Sequence, residues 1–450
     1  MQNWLKRSLL VIGVFGICWI GAVWYWRSTT RMPDTGDLAL AMLVMPLTIV
    51  TGFWLAKKTF AGAPATPEMP ARHEAQPAAD AASVADGPAA EAPWLPLGVA
   101  ASALRMTHGD SPAELAAAFA EGQARLDLDS ELTDMQGFPL LAGRVQSVDL
   151  APLEDWLASQ QPEARAPNAQ QLRAMALGGD VAASLAARAA ATGSDGVLQM
   201  LPLLPYDWPA ATQELANRWL AHRAVDAGWP HARLSMPRPG AAASATMPGS
   251  PLAALRALSA QSAGSAAPAF CLLLACDSSI DPDAVEHLAV NGKLYGPRNP
   301  NGRMPAEGAA GILLQPAKNA GDEPRLLALH AKEGATLREL AEEALVHANG
   351  AQPAYIAADT DHRAAAMSDL MQCVEAAAPE LDANTSLACI GAGCGHTGSV
   401  GALAAIALAQ EQATGSGGFS LALANSDPTQ RYALLVGPLP APASKAPSLS

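Results

Sequence analysis

The residues best suited to chemistry lie in one Gly-rich stretch near the C-terminus. Cys389, Cys394 and His396 fall within Cys-Ile-Gly-Ala-Gly-Cys-Gly-His-Thr-Gly, and an apolar, small-residue segment follows as far as Ala409. A thiol or an imidazole at a turn leading into a helix could act as a nucleophile or as an acid and base. The helix N-terminus would favour the thiolate, because its partial positive charge stabilises an anion.

Two other interpretations of this stretch are weaker. Zinc sites need a second pair of ligands, and Cys-x4-Cys-x-His has none nearby, so we expect no metal. The glycines at 393, 395 and 398 spell Gly-x-Gly-x-x-Gly. However, no acidic residue ends a following strand about 20 residues further on, and no Gly-Lys-Ser/Thr is present. We therefore expect no cofactor, and we expect His396 to stabilise the turn.

Alternating strands and helices would position this stretch. Continuous apolar runs predict buried strands, and longer periodic segments predict helices. The predicted strands are 97–104, 140–148, 198–204, 269–275, 310–314, 326–331, 354–357, 386–390, 419–424 and 432–436. The predicted helices are 113–125, 153–159, 169–190 with an interruption at Gly178-Gly179, 212–227, 252–261, 335–348, 364–378 and 400–412. This order predicts an α/β layered domain over 94–438, in two halves, 95–315 and 316–438.

Two uncharged apolar segments near the N-terminus predict a transmembrane hairpin within residues 1–60. They cover 9–26 and 38–56, each close to the ~20 residues that cross a bilayer. A cleaved signal peptide is the alternative for the first, but no small-residue cleavage site follows it. Four basic residues flank the outer ends of the pair and two lie in the connecting loop, which places both termini in the cytoplasm. The soluble domain is then cytoplasmic.

The composition excludes some partners. The chain carries a net charge of −14, which disfavours binding to nucleic acid and to anionic headgroups. The six cysteines have no regular framework spacing, which favours reduced thiols. An Ala/Pro-rich segment over 61–93 predicts a disordered linker, and the Pro/Ala/Ser segment over 439–450 predicts a disordered tail.

Four colinear stretches resemble the thiolase-like superfamily, specifically the β-ketoacyl synthases. They are the Gly/His stretch 389–409, the Pro-Ala-Glu-Gly-Ala-Ala segment within 302–314, the apolar strand and turn 270–279, and the opening strand–helix unit 98–126. The resemblance implies a thiolase-like layered fold of two pseudo-repeated halves. It also implies an active site with an acyl-carrying Cys at a strand-to-helix elbow and two His residues.

This chain departs from that pattern at two of the three catalytic positions. No Cys occurs between Cys18 and Cys271, and only Ser250 or Thr246 could stand at the elbow. The resemblance places Ala358 where the first His is expected, and His362 lies four residues further on. His396 corresponds to the second His. We therefore expect no catalytic residues here, with His396 as a relic of the synthase site and the domain as a pseudoenzyme.

The whole chain resembles the bacterial DUF2875 proteins, which include the type VI lipase adapter family. The resemblance rests on the two-span N-terminus, the linker and the degenerate body. It implies a non-catalytic, membrane-anchored adapter that binds a secreted lipase effector, a type VI spike component or both. The alternative is an acyl-transfer enzyme of lipid metabolism at the inner membrane. The synthase resemblance also makes a homodimer an open expectation.

Overall fold

A computed structural model describes residues 93–160, 167–236, 250–264 and 267–439. The predicted membrane spans, almost all of the linker, Thr246 and residues 440–450 of the predicted tail lie outside the described residues. Within those ranges, no helix combines the length and the apolar character needed to cross a membrane.

The first half of the domain consists of seven strands and six α-helices. In chain order they are β1 (Leu97–Met106), α1 (Pro112–Ala120), β2 (Asp127–Thr133), β3 (Pro139–Ala142), α2 (Ala151–Ser159), α3 (Ala169–Ala191), β4 (Leu198–Leu203), α4 (Ala210–Asp226), β5 (Leu234–Ser235), α5 (Pro251–Ser262), β6 (Phe270–Ser278), α6 (Pro282–Val290) and β7 (Glu307–Pro316).

The second half has the same plan with fewer additions. Its elements are β8 (Arg325–His330), α7 (Leu337–Leu345), β9 (Tyr355–Ala358), α8 (Ala364–Ala377), β10 (Leu387–Cys389), α9 (Ile390–Cys394), α10 (Ser399–Ser416), β11 (Ser420–Ala424) and β12 (Tyr432–Gly437). Short 3-10 turns lie at His231–Arg233, Ala317–Asn319 and Val346–Ala348.

The strand order repeats between the halves. Ten strands form one hydrogen-bonded sheet in the order β10-β9-β11-β12-β8-β1-β7-β6-β4-β5, and β2 and β3 form a separate hairpin. Counting the sheet strands within each half, both read 3-2-4-5-1. The second and fourth strands of each half pair in parallel, and the fifth is antiparallel to both of its neighbours. This confirms the predicted division into two similar halves.

Successive side chains of a strand point to opposite faces of the sheet, and this alternation divides the domain into layers. On β6, Leu273 and Ala275 face a central cluster, whereas Leu272 and Leu274 face an outer one. The central cluster contains side chains of α1, α5 and α10 and receives strands from both halves. Helices α3 and α4 cover the outer face of the first half, and α7 and α8 cover that of the second. Two half-sheets thus enclose a central helical layer.

Helix α10 is the most deeply buried of the elements that the structure describes in this layer. Every residue from Val400 to Gln410 is buried. Ala and Gly dominate this run because the helix packs on strands from both sides, where larger side chains would not fit. Its one buried amide, Gln410, accepts a hydrogen bond from the Ser102 hydroxyl and donates one to Thr414.

The predicted interruption of the long helix at Gly178-Gly179 is wrong, since α3 runs through both glycines. Their role is close packing. A Cβ at Gly178 would lie 2.9 Å from Cys276 Sγ, and one at Gly179 would lie 2.6 Å from Trp219 Nε1. Each glycine lowers the helix propensity by about 1 kcal/mol, but its lack of a side chain lets α3 approach β6 and α4 closely.

Two further boundaries differ from the predictions. The helix predicted over 113–125 ends at Ala120, because Gly122 takes a positive φ of 68° and turns the chain. The strand predicted over 140–148 is only Pro139–Ala142. Beyond it, Gly143 and Val145 bond to the segment that leads into β7 instead of continuing the hairpin.

Candidate functional site

A cleft of about 790 Å³ opens where the carboxyl ends of parallel strands from both halves meet. Its lining includes the segments that follow β4, β6, β9 and β11, the turn between α9 and α10, and α6 with the loop that leads from it to β7. Pro251, the first residue of α5, lies on the same wall. Ligands of α/β proteins bind at this end of the strands, because the loops there are free to diverge while the sheet stays rigid.

His396 reaches the cleft from a turn that two glycines shape. Gly395 has a φ of 88° and Gly398 a φ of 54°, and a Cβ at Gly395 would lie 2.6 Å from the Ala306 side chain. The His396 amide donates to the Met304 carbonyl at 3.1 Å, which anchors the turn. Burial, with Arg303 as a further cause, lowers the pKa of His396 to about 4. The imidazole is therefore neutral at neutral pH.

Asp277 faces that turn from the end of β6. Its Oδ2 lies 3.8 Å from the position a Cβ at Gly398 would occupy. Burial and the nearby charge of Asp207 raise the pKa of Asp277 to about 7. Sequence analysis did not single out this residue. The signal available was an acidic residue directly after a continuous apolar strand, since Asp277 follows Phe270 to Cys276.

The end of β9 presents Asp359, not Ala358, to the cleft. Ala358 packs in the outer cluster beneath α8, because its side chain points to the other face of the sheet. The Asp359 carboxylate accepts hydrogen bonds from the backbone amides of Asn425 and Ser426 and from the Ser426 hydroxyl. These bonds hold the loop after β11. His362 lies outside the cleft lining, where its Nε2 is 3.1 Å from the Pro300 carbonyl oxygen.

The thiols of the described residues are poorly suited to nucleophilic attack. Burial raises the pKa of Cys394 to about 12 and that of Cys389 to about 11. Burial likewise raises the pKa of Cys271, Cys276 and Cys373 to about 12 each. Of the described cysteines, only Cys276 is among the residues that line the cleft. Its side chain packs in the outer cluster of the first half. A thiol with so high a pKa carries almost no thiolate near neutral pH.

Ser250 stands at the N-terminus of α5, the counterpart of α10 in the first half. The side chain is buried, and its Oγ accepts a hydrogen bond from the Ala253 amide at 3.4 Å. This is the role of a helix cap. Within the described ranges, the hydrogen bonds of His108 and His362 go to the Gly393 and Pro300 carbonyls, not to Ser250.

The ion pair of Arg173 and Glu307, whose carboxylate accepts several hydrogen bonds, lies behind the cleft. Glu307 is completely buried at the start of β7, and its carboxylate accepts from Arg173 Nε at 2.7 Å. The Ser278 hydroxyl at 3.0 Å and the Val145 amide at 2.9 Å complete its bonding. These contacts tie together β6, β7, α3 and the segment after β3. The role of Glu307 is structural, because every described partner is a group of the surrounding framework.

Two buried hydroxyls on the cleft lining have no described partner. Thr397 is 3% exposed and Tyr432 is 2% exposed, and neither side-chain oxygen makes a hydrogen bond within the described ranges. The hydroxyl of Thr397 lies 3.5 Å from the position a Cβ at Gly401 would occupy. Such groups are uncommon, since leaving a buried hydroxyl unpaired costs about 1–3 kcal/mol.

The charge of the cleft is acidic. Six aspartates line it, against Lys293, Arg303 and Arg363. Arg363 is engaged by Asp361, with 2.7 Å between Nε and Oδ2. In the part of the chain that the structure describes, no three His, Cys, Asp or Glu side chains converge closely enough to hold a metal ion.

Several solved structures with a similar fold are ketosynthases. A ketosynthase/chain length factor of ishigamide biosynthesis is 15% identical, with a TM-score of 0.50 over 77% of this chain and all of that one. The ketosynthase from module 6 of the bacillaene synthase of Bacillus subtilis 168 is 10% identical, with a TM-score of 0.52 over 78% and 73% of the two chains. No protein-family description matches the sequence, and no curated protein is similar to it.

At these identities the likeness concerns the fold alone. The domain has a mixed α/β, thiolase-like fold, as the Gly/His stretch and the three colinear segments predicted. Of the residues singled out from the sequence, the structure brings His396 to the cleft and places Ser250 beside the cleft-lining Pro251. It leaves Ala358, His362 and Cys389 out of the cleft lining and adds Asp277 to it.

Proposed function

We propose that this chain is a non-catalytic adapter with a thiolase-like body, anchored in the inner membrane by its N-terminal segment. The observation that carries the proposal is the chemistry of the cleft. The described thiols have pKa values of about 11 to 12, and Ser250 is engaged as a helix cap. Acyl transfer needs an activated nucleophile at the turn, and none of the described groups meets that need.

The hairpin of β2 and β3 carries exposed apolar side chains, which supports a role in protein binding. On β2, β3 and their turn, Leu128, Met135 and Phe138 are 65–68% exposed. The turn is well built, since Asp134 Oδ1 accepts from the amides of Gln136 and Phe138, each at 2.9 Å. Exposed large apolar side chains are suited to an interface, because burying them against a partner removes apolar surface from water.

The charge around these anchors favours a protein over a membrane surface. Asp127, Glu131 and Asp134 are on the same hairpin, and anionic headgroups would repel them. We propose a protein partner with a basic rim around an apolar groove. By the family resemblance, that partner is a lipase effector or a spike component of type VI secretion.

The test is a pull-down of the full chain from its native host in mild detergent. We expect a phospholipase-like protein or a spike component to be recovered, and the Met135→Ser, Phe138→Ser double variant to lose it. Val346→Ser is the matched control, because Val346 is 73% exposed on a different part of the domain. Recovery of neither partner, or equal recovery by both variants, would contradict the proposal. Lipase and spike genes beside this gene would be independent support.

Acyl transfer is the second candidate, and one observation favours it. Ser250 begins the helix that matches α10 in the repeat, and its neighbour Pro251 lines the cleft. The test is mass spectrometry of the full chain after incubation with an acyl thioester. An acylated peptide that disappears in Ser250→Ala would favour the enzyme and contradict the adapter. An unmodified chain would contradict the enzyme.

A further inference from the structure

Three Asn-Gly pairs lie in turns of the described structure, and they differ in how tightly each is held. They are Asn291-Gly292, Asn301-Gly302 and Asn349-Gly350, and the sequence has no others. Asn-Gly pairs are prone to spontaneous deamidation, because glycine has no side chain to hinder attack by its backbone nitrogen on the asparagine amide. The fold therefore decides which of the three reacts.

The Asn349-Gly350 turn connects α7 and its 3-10 extension to β9. Asn349 has a φ of 52°, the one positive φ among the described residues other than glycine, and Gly350 follows with a φ of 84°. Two successive residues with positive φ make a tight turn of the type that favours Asn-Gly. The Ala351 amide closes the turn by donating to the Ala348 carbonyl at 3.1 Å.

The reacting groups of this turn are exposed and unbonded. Asn349 and Gly350 are both exposed, and a Cβ at Gly350 would meet nothing within 4 Å. In the part of the chain that the structure describes, neither the Asn349 side chain nor the Gly350 amide makes a hydrogen bond. Rotation about ψ of Asn349 brings the Gly350 nitrogen to the side-chain carbon, and it has to break the one hydrogen bond that closes the turn.

The other two pairs are held in place. Asn291 Nδ2 donates to the His287 carbonyl at 2.8 Å, and the Gly292 amide donates to a carbonyl of α6 at 3.0 Å. The Gly302 amide donates to the Asn299 carbonyl at 3.0 Å, and Gly302 itself is buried. Each of these nitrogens must leave its own hydrogen bond before it can attack, which lowers the rate.

We propose that Asn349 is a deamidation site, with water as the co-reactant. The Gly350 nitrogen bonds to Cγ of Asn349 and the Cγ–Nδ2 bond breaks, so that ammonia leaves with the proton of the Gly350 amide. Water then opens the resulting succinimide at one of its two carbonyls, which gives aspartate or isoaspartate. The turn gains a negative charge and, in isoaspartate, an extra backbone carbon. This chemistry is independent of the adapter role.

The test follows the full chain in detergent during incubation at mildly alkaline pH in water labelled with heavy oxygen. Digestion with trypsin in ordinary water separates the three pairs, because Lys293 and Arg303 lie between them. Mass spectrometry then measures the labelled oxygen that hydrolysis during the incubation has introduced into each peptide. We expect the Asn349 peptide to be labelled at least about tenfold faster than the other two, because their reaction also requires the opening of one or two hydrogen bonds.

The same incubation in urea removes the protection that the fold gives. We expect the three rates to approach one another there, because each pair is Asn-Gly. Asn349→Gly is the matched variant, since glycine tolerates the positive φ and has no amide to lose. It should abolish labelling of its own peptide and leave the other two unchanged. No labelling at Asn349, labelling of Asn291 or Asn301 as fast as Asn349 in the folded chain, or the same order of rates in urea would overturn the proposal.

Discussion

Asp277 near the end of β6 and Glu307 at the start of β7 lie at adjacent strand ends, but their carboxyl groups differ in burial and in hydrogen bonding. Ser278, the residue after Asp277, is the register partner of Glu307 across β6 and β7. Glu307 is completely buried and bonded to Arg173, Ser278 and Val145. Asp277 is half-buried, faces the cleft and has a pKa raised to about 7 by burial and by Asp207. The first is part of the framework. The second lines the cleft and lies outside that network of bonds.

The largest expected effect comes from Glu307. Glu307→Gln leaves the Arg173 guanidinium without its charged partner inside the domain. We expect the free energy of unfolding to fall by about 3–5 kcal/mol, as when one member of a buried ion pair is removed. Urea unfolding of the full chain measures the change, with the exposed Glu333→Gln as control. A loss below about 1 kcal/mol, the usual scale of surface pairs, would remove the contrast between the two carboxylates.

The expected effect at Asp277 is smaller and has the opposite sign. Its folded-state pKa is raised, so the folded protein retains a proton that the unfolded chain releases, and stability falls as pH rises from about 4 to about 7. Asp277→Asn removes this penalty. We expect a gain on the order of 1–3 kcal/mol at pH 8 and little change at pH 4. Thermal unfolding at both pH values measures it, and an equal gain at both would contradict the assigned pKa.

His396 has the opposite pH dependence, because its neutral form is the one that folding favours. Its pKa is lowered to about 4, so stability rises with pH from about 4 to about 6.5. His396→Gln should flatten that rise, by on the order of 1–3 kcal/mol across the window. Unfolding midpoints across the same window test it. Variants of Asp277 and His396 that behave alike with pH would show that the two groups do not titrate as assigned.

Ser278 connects the two carboxylates and should have an intermediate effect. Its hydroxyl donates to Glu307, and its oxygen accepts from the Ile280 amide at 3.3 Å. Ser278→Ala removes one hydrogen-bond partner from the Glu307 carboxylate and one from the Ile280 amide. We expect this to cost about 1–2 kcal/mol of stability. Ser262→Ala is the control, because its hydroxyl lies far from the pair and bonds only to the Ser259 carbonyl within the described ranges. A loss equal to that of the control would weaken the view of Ser278 as part of the framework.

The smallest expected effect is at Tyr432. Its hydroxyl has no described hydrogen-bond partner, so Tyr432→Phe should change the free energy of unfolding by less than about 0.5 kcal/mol or raise it. Urea unfolding of the full chain and of the variant measures the change. A large loss of stability would mean that the hydroxyl has a structural partner.

Local signals predicted much of the fold. The helix predicted from residue 113 begins at Pro112, where Ser111 caps it and Glu114 lies in its first turn. The strands predicted over 419–424 and 432–436 are present as β11 and β12, which pair antiparallel. Helix α6 was missed although Asp281 and Pro282 carry the same kind of start signal. Strand β2 was missed because its acidic, exposed sequence has little strand character.

The sequence by itself determined the layered class of the domain, its division into halves and the place of His396 at a strand-to-helix turn. These follow from apolar periodicity and from glycines whose effect is local. Only the tertiary structure decided which polar groups share the cleft, because Asp207, Asp277 and His396 are brought together by strands far apart in the chain. The face of β9 was decided in the same way: one position separates Ala358, which packs outward, from Asp359, which lines the cleft. Successive strand residues point to opposite faces, so a shift of one residue exchanges a core alanine for a cleft carboxylate.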